Sequence, residues 1–312
     1  MKRAALILPA LVAGAMLVLN LSPRAGAKAF TLAATSEAAA YGLHAQTADL
    51  GELRMAFYDG GPKAAAEAIV MLHGYSADKQ VWPRFARPLL EKYRVIIPDL
   101  AGHGESGFNP AWNYSGPAQA RRVALLMDKL GIQKAHIVGN SMGGFIAAHF
   151  ALATPERTLS AGLIDPHGVA SPQPSDMEKM LAAGKNPFEV HSPAEFDRFY
   201  AMTMAQPPWL PRFMLSAMAA DYMARREQLA VIFKGFHDSD ALDSHLAGIK
   251  VPTLLLWGSK DRLIDVSSAK VWAAGLPNAR LVIEDGIGHM PMVEEPAKAA
   301  QIYQSFLSSL QK

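Results

Sequence analysis

The run from Ala135 to Phe150 constrains this chain more than any other segment. Ala135-His136-Ile137-Val138 reads as a buried strand, Gly139-Asn140-Ser141-Met142-Gly143 as G-x-S-x-G, and Gly144 to Phe150 as an apolar helix. A strand that becomes a helix within five residues must bend sharply, and the bend imposes a strained backbone on its central residue. Neighbouring backbone then closes on the Cβ side of the flanking positions, where Gly139 and Gly143 stand. Such a turn pushes Ser141 Oγ into the open and sets the Met142 N–H, at the positive end of the helix, beside it. G-x-S-x-G on its own also occurs in plain tight turns. The strand before it and the helix after it make Ser141 a candidate nucleophile.

Strands and helices alternate through the rest of the chain. Leu53–Tyr58, Ala68–Leu72, Arg94–Pro98, Leu159–Ile164, Thr253–Trp257 and Arg280–Ile283 read as further strands. Helical spacing over Val81–Lys92, Gln119–Leu130, Val266–Ala274 and Pro296–Leu310 predicts helices between them. Alternation of this kind implies an α/β fold with a mostly parallel central sheet covered by helices on both faces. The body is expected to begin near Gly51 and to comprise residues 51–167 and 251–312. Residues 168–250, rich in Met, Pro and aromatics and without strand pattern, read as a helical cap. Residues 30–50 read as a linker or short helix.

Ser141 requires a base and an orienting acid. His289, in Gly286-Ile287-Gly288-His289-Met290-Pro291, follows the last strand and precedes a helix, at the carboxyl edge of the sheet where such folds gather reactive groups. His73 and His103 also lie on loops after strands and read better as hydrogen-bonded structural histidines. For the acid, Asp261 follows the strand Thr253–Trp257 and precedes His289, giving the chain order Ser, Asp, His. Asp165, after Leu159–Ile164, is the rival, and Asp99 suits a turn. A second amide for an oxyanion should come from the loop after an early strand. Leu72-His73-Gly74-Tyr75 supplies it through the Tyr75 N–H.

The chain has 312 residues, half of them hydrophobic, a formal charge of +2 and no cysteine. The weak charge points to neither a nucleic-acid track nor a polybasic membrane patch, and the missing cysteines exclude disulfides, thiolate metal sites and a Cys nucleophile. At the N-terminus, Lys2 and Arg3 precede an apolar run from Ala4 to Leu19, with Arg24 and Lys28 beyond it. Residues 1–29 therefore read as a signal peptide, with cleavage after Ala27 or Ala29, or as an N-terminal membrane anchor. Either reading places the body outside the inner face of a cell membrane, exported to the cell envelope and anchored, periplasmic or secreted.

Together, V-M-L-H-G-Y-S-A-D-K-Q-V-W from Val70 to Trp82, P-D-L-A-G-H-G-E-S from Pro98 to Ser106, Val138–Gly144 and the Asp261 and His289 loops resemble the α/β-hydrolase superfamily. H-G-Y-S-A-D-K with Trp82, and G-N-S-M-G-G, are similar to bacterial family V lipases and membrane-anchored monoacylglycerol lipases. The resemblance implies the α/β-hydrolase fold with a helical cap inserted after its sixth strand. It implies Ser141, Asp261 and His289 as a triad, Tyr75 and Met142 as oxyanion donors, no cofactor or metal, and acylglycerols or other small-molecule esters as substrates. Two alternatives stay open, a C–C bond or other hydrolase using the same residues and a non-catalytic binding protein on the same fold. Met202, Met204, Trp209, Phe213, Met214, Met218, Tyr222 and Met223 either hold an acyl chain or pack the cap onto the sheet.

Overall fold

A computed structural model describes residues 23–65, 67–237 and 240–311. Its sheet comprises β1 (Leu43–Asp49), β2 (Arg54–Gly60), β3 (Ala68–Leu72), β4 (Arg94–Pro98), β5 (Ala135–Asn140), β6 (Thr158–Ile164), β7 (Thr253–Gly258) and β8 (Ala279–Glu284). The strand order is β1-β2-β4-β3-β5-β6-β7-β8. β1 with β2 and β2 with β4 are antiparallel, and every pair beyond β4 is parallel. The chain moves from β3 to β4 on one side and then crosses to β5 on the other. The carboxyl ends of β3 and β5 therefore flank the point where the winding reverses, which is where open sheets of this type leave a crevice. All residues of β3 and β5 are buried, as central parallel strands covered on both faces require.

Helices α1 (Pro23–Ala40), α2 (Pro83–Ala86), α3 (Gly116–Lys129) and α4 (Met142–Ala153) accompany the first half. Helices α5 (Asp176–Ala182), α6 (Pro193–Thr203), α7 (Arg212–Ala224) and α8 (Arg226–His237) lie between β6 and β7. Helices α9 (Ser268–Gly275), α10 (Pro291–Glu294) and α11 (Pro296–Ser309) follow. One face of the sheet is covered by α3, α4 and α9, through residues such as Val123, Phe145 and Trp272. The other is covered by α2, α11 and the end of α1, through Phe85, Tyr303 and Ala38. α3 begins at Ser115, whose hydroxyl accepts the Ala118 N–H, with Pro117 in the first turn, a strong helix start.

Two expectations are corrected. Of the linker or short helix expected over residues 30–50, the helix is present, but the body does not wait until Gly51: these residues contain most of α1 and also the whole of β1, which is an edge strand registered from Leu43↔Gly60 to Asp49↔Arg54. Only Leu43 and Ala48 of β1 are buried, so the segment carries no apolar alternation to announce a strand. The helix expected over Val81–Lys92 is instead α2 flanked by 3-10 turns at Lys79–Val81 and Arg87–Leu89. Pro88 has no N–H to continue the ladder. The apolar run Ala4–Leu19, on which the signal or anchor reading rests, lies outside the described residues. Among those described, no helix is long and apolar enough to cross a membrane.

Candidate active site

Ser141 sits between β5 and α4 at φ 57°, ψ −119°, a conformation that L-residues seldom adopt and that persists only where the surroundings over-determine it. The flanking glycines explain how the backbone reaches it. A Cβ on Gly139 would lie 2.1 Å from the Gly143 carbonyl oxygen, and one on Gly143 would lie 2.2 Å from that of Leu72. Four bonds lock the turn. The Ser141 N–H donates to Ile164 O (3.0 Å), and the His167 and Phe145 N–H groups both donate to Ser141 O (3.2 and 3.0 Å). The Asn140 side-chain amide donates to His289 O (2.9 Å), tying the loop after β8 to the serine turn.

His289 is buried, and its Nδ1 lies 2.7 Å from Asp261 Oδ2. The other Asp261 oxygen accepts the Leu263 and Ile264 N–H groups at 2.8 and 3.0 Å. Three donors thus converge on one buried carboxylate, which holds it in place and fixes the imidazole tautomer with Nδ1 protonated. Glu294 on α10 steadies the loop by accepting the Gly288 N–H at 2.9 Å. Ser141 and His289 open on the same cavity. The Tyr75 and Met142 N–H groups make no hydrogen bond among the described residues, and the Tyr75 hydroxyl anchors its side chain by donating to Leu229 O on α8 (2.8 Å). Two free amides beside a strained serine could together donate to a negatively charged oxygen.

Asp165, the rival acid, lies in the same cluster. Ligand-type atoms of Asp165, Asp261 and His289 all fall within 4.8 Å of one another. The close imidazole contact belongs to Asp261. His73 is fully buried between loops, Nε2 accepting the Leu100 N–H (2.9 Å) and Nδ1 donating to Gly74 O (2.8 Å). Burial holds it down to about 4, so it is a neutral clamp on the Tyr75 loop. His103 stacks edge-on to His73 at 5.0 Å and burial lowers it further.

Asp99 is more than a turn residue. It accepts the Lys79 N–H at 2.8 Å, the Lys79 ammonium at 2.6 Å and the Glu105 N–H at 2.9 Å, pinning the loop after β3 to that after β4. Lys79 and Asn140 both escape a reading by sequence, since neither a buried lysine nor a tethering amide leaves a periodic mark.

The cavity above Ser141 has a volume of about 580 Å³ and is walled mainly by apolar side chains, among them Phe188, Phe199, Phe233 and Phe236. Of the residues expected to hold a chain or pack the insertion, Met204, Met218 and Tyr222 face this cavity. Met202 and Phe213 are buried away from its walls, whereas Trp209 is 84% exposed. The first helix contributes as well: α1 packs along α7, and its Ala27, Phe30 and Ala34 line the cavity.

A family model described as the alpha/beta hydrolase fold matches residues 67–296. The chain belongs to this family. It is 31% identical to Lipase 1 of Psychrobacter immobilis over 261 residues, 83% of this chain and 82% of the relative. It is 27% identical to monoacylglycerol lipase abhd6-B of Xenopus laevis over 284 residues, 87% of this chain and 84% of that protein. Among solved structures it resembles a membrane phospholipase A described as a bacterial virulence factor, with a TM-score of 0.89 and 36% identity over the whole of both chains.

Proposed function

We propose that this protein is a serine hydrolase of carboxylic esters with acylglycerol-like substrates, Ser141 being the nucleophile, His289 the base and Asp261 the acid. The observation that carries the reading is the strained Ser141 at the head of α4, sharing an apolar cavity with the Asp261-bonded imidazole of His289. Its named relatives are lipases, in keeping with that chemistry. His289 Nε2 takes the Ser141 proton as Oγ attacks the ester carbonyl. The Tyr75 and Met142 amides receive the oxyanion, and Asp261 stabilises the imidazolium. Collapse expels the alcohol, which leaves with the proton from His289. Water, deprotonated by the same imidazole, then attacks the acyl carbon, and the acyl-Ser141 bond breaks as His289 returns that proton to Ser141 Oγ, freeing the acid.

The cavity volume falls in the range of small-molecule sites, and its aromatic walls suit an acyl chain rather than a charged substrate. The four helices between β6 and β7 act as the cap within residues 168–250. The N-terminal segment is read as a retained membrane anchor rather than a cleaved signal. Cutting after Ala27 or Ala29 would fall within α1, taking off its first turns and the cavity-lining Ala27.

Ser141→Ala and wild-type protein are to be compared on p-nitrophenyl esters of graded chain length, with fluorophosphonate labelling in parallel. The expected result is loss of turnover and of labelling together, with wild type preferring an acyl chain long enough to fill the cavity. Full activity in Ser141→Ala would refute the assignment.

A further inference from the structure

Asp165 is a buried carboxyl that the mechanism above does not use. It terminates β6 at φ 44° and is wholly excluded from solvent. Its N–H donates to Leu256 O (2.9 Å), and its Oδ1 accepts the Gly258 N–H (2.9 Å) at the end of β7, three residues before Asp261. Its Oδ2 has no donor among the described residues, and the Asp261 carboxyl lies beside it. Glu294 on α10 adds a further negative charge nearby, and His289 is the facing base.

Two adjoining buried carboxyls cannot both ionise, so the pair retains a proton. The donors decide where it resides. Asp261 receives three, the Leu263 and Ile264 amides and the His289 imidazole. Asp165 receives one. Charge therefore belongs on Asp261 and the proton on Asp165, whose unpartnered oxygen then gains a role as the donor of a hydrogen bond.

We infer that Asp165 is a positioning residue that donates its carboxyl proton in a hydrogen bond to the Asp261 carboxylate, holding that carboxylate in place and limiting its grip on the His289 proton. Burial, followed by the negative charge of Asp261, pushes the Asp165 carboxyl well above the usual carboxylate range, which agrees with the donor count. With that hydrogen bond removed, Asp261 becomes more basic, the imidazolium of His289 is better stabilised, and the free enzyme needs a higher pH to expose a neutral base.

The inference rests on reading Asp261 and His289 as acid and base, and Asp261→Asn run alongside tests that reading on its own. The experiment compares pH profiles of kcat/KM for wild type, Asp165→Asn and Asp165→Leu. Asn preserves both roles, its oxygen accepting from Gly258 and its amide donating to Asp261. It is expected to stay within about three-fold of wild type with an unmoved acid limb. Leu is expected to shift the acid limb upward by about half a unit or more, with the low-field His289 Nδ1 proton resonance displaced in the same variant. A merely structural Asp165 would lower stability and leave both readouts in place. The proposal is overturned if Asp165→Asn loses activity as severely as Asp261→Asn, because Asp165 would then act as an anion. It is equally overturned if the limb of a folded Asp165→Leu coincides with that of wild type.

Discussion

Gly143→Ala tests whether the turn around Ser141 works by close backbone approach. The added methyl would stand 2.2 Å from Leu72 O and 2.6 Å from His73 O, where ordinary contact begins near 3.4 Å. Both obstacles are backbone atoms at the end of β3, so relief requires α4 and the Tyr75 loop to part by roughly 1 Å, a misplacement that typically costs about 100-fold in rate. The same displacement separates the Met142 and Tyr75 amides, and losing one such donor costs about 100- to 1,000-fold. The expectation is therefore a kcat about 100-fold lower on p-nitrophenyl butyrate with KM within about three-fold, since the cavity walls are untouched. Thermal unfolding of the same preparation establishes that the variant is folded. A folded Gly143→Ala enzyme with kcat within about three-fold of wild type would refute the claim that these carbonyls set the oxyanion geometry.

Two further outcomes concern stability. Lys79→Met leaves the solvent-excluded Asp99 carboxylate without its ammonium partner at 2.6 Å. Urea unfolding should report a loss of about 3 kcal/mol, the lower end for breaking one side of a buried pair because two backbone amides still serve Asp99; a loss below about 1 kcal/mol would contradict this. His73 binds protons in the unfolded state below its ordinary 6.5 but stays neutral in the folded one down to about 4. Stability it contributes at neutral pH is therefore lost as pH falls through that window, amounting to about 2 kcal/mol at pH 5. The drop in unfolding free energy between pH 7 and pH 5 should shrink by about that amount in His73→Asn, and an unchanged drop would show that His73 is not the group responsible. Asp78, raised to about 6 by burial, works in the opposite direction and moderates the total.

The features most legible in the sequence were those that a strand or a turn imposes locally. β3 is an uninterrupted apolar run and β5 and β7 are largely apolar because both faces are covered, and Gly139 and Gly143 mark backbone contacts that admit no side chain. The loops after β5, β7 and β8 then indicated Ser141, Asp261 and His289 as groups that could meet. β1 was illegible because an edge strand is stabilised by backbone pairing, which carries no side-chain signature. The inserted helices were illegible for another reason. Met204 and Met202 are two residues apart, yet only the first reaches the cavity: Met202 lies within α6, whereas Met204 stands just past its end in extended backbone, a boundary that the residue pattern does not mark.

The strain at Ser141 is supported chiefly from β6 rather than from its own turn. The Ser141 N–H and the Asn140 amide both donate to Ile164 O, and the His167 N–H returns a bond to Ser141 O. The two residues between Ile164 and His167 include Asp165, itself at positive φ and bonded to both Leu256 and Gly258 on β7. One short segment after β6 thus connects the Ser141 turn to β7, whose following loop carries Asp261. Distortion there would disturb Ser141 and Asp261 together. Substitutions at Asp165 and at Ile164 are consequently expected to couple non-additively with those at Ser141's flanking glycines, which a double-mutant cycle on kcat measures directly. Additive effects would mean that the two turns are held independently.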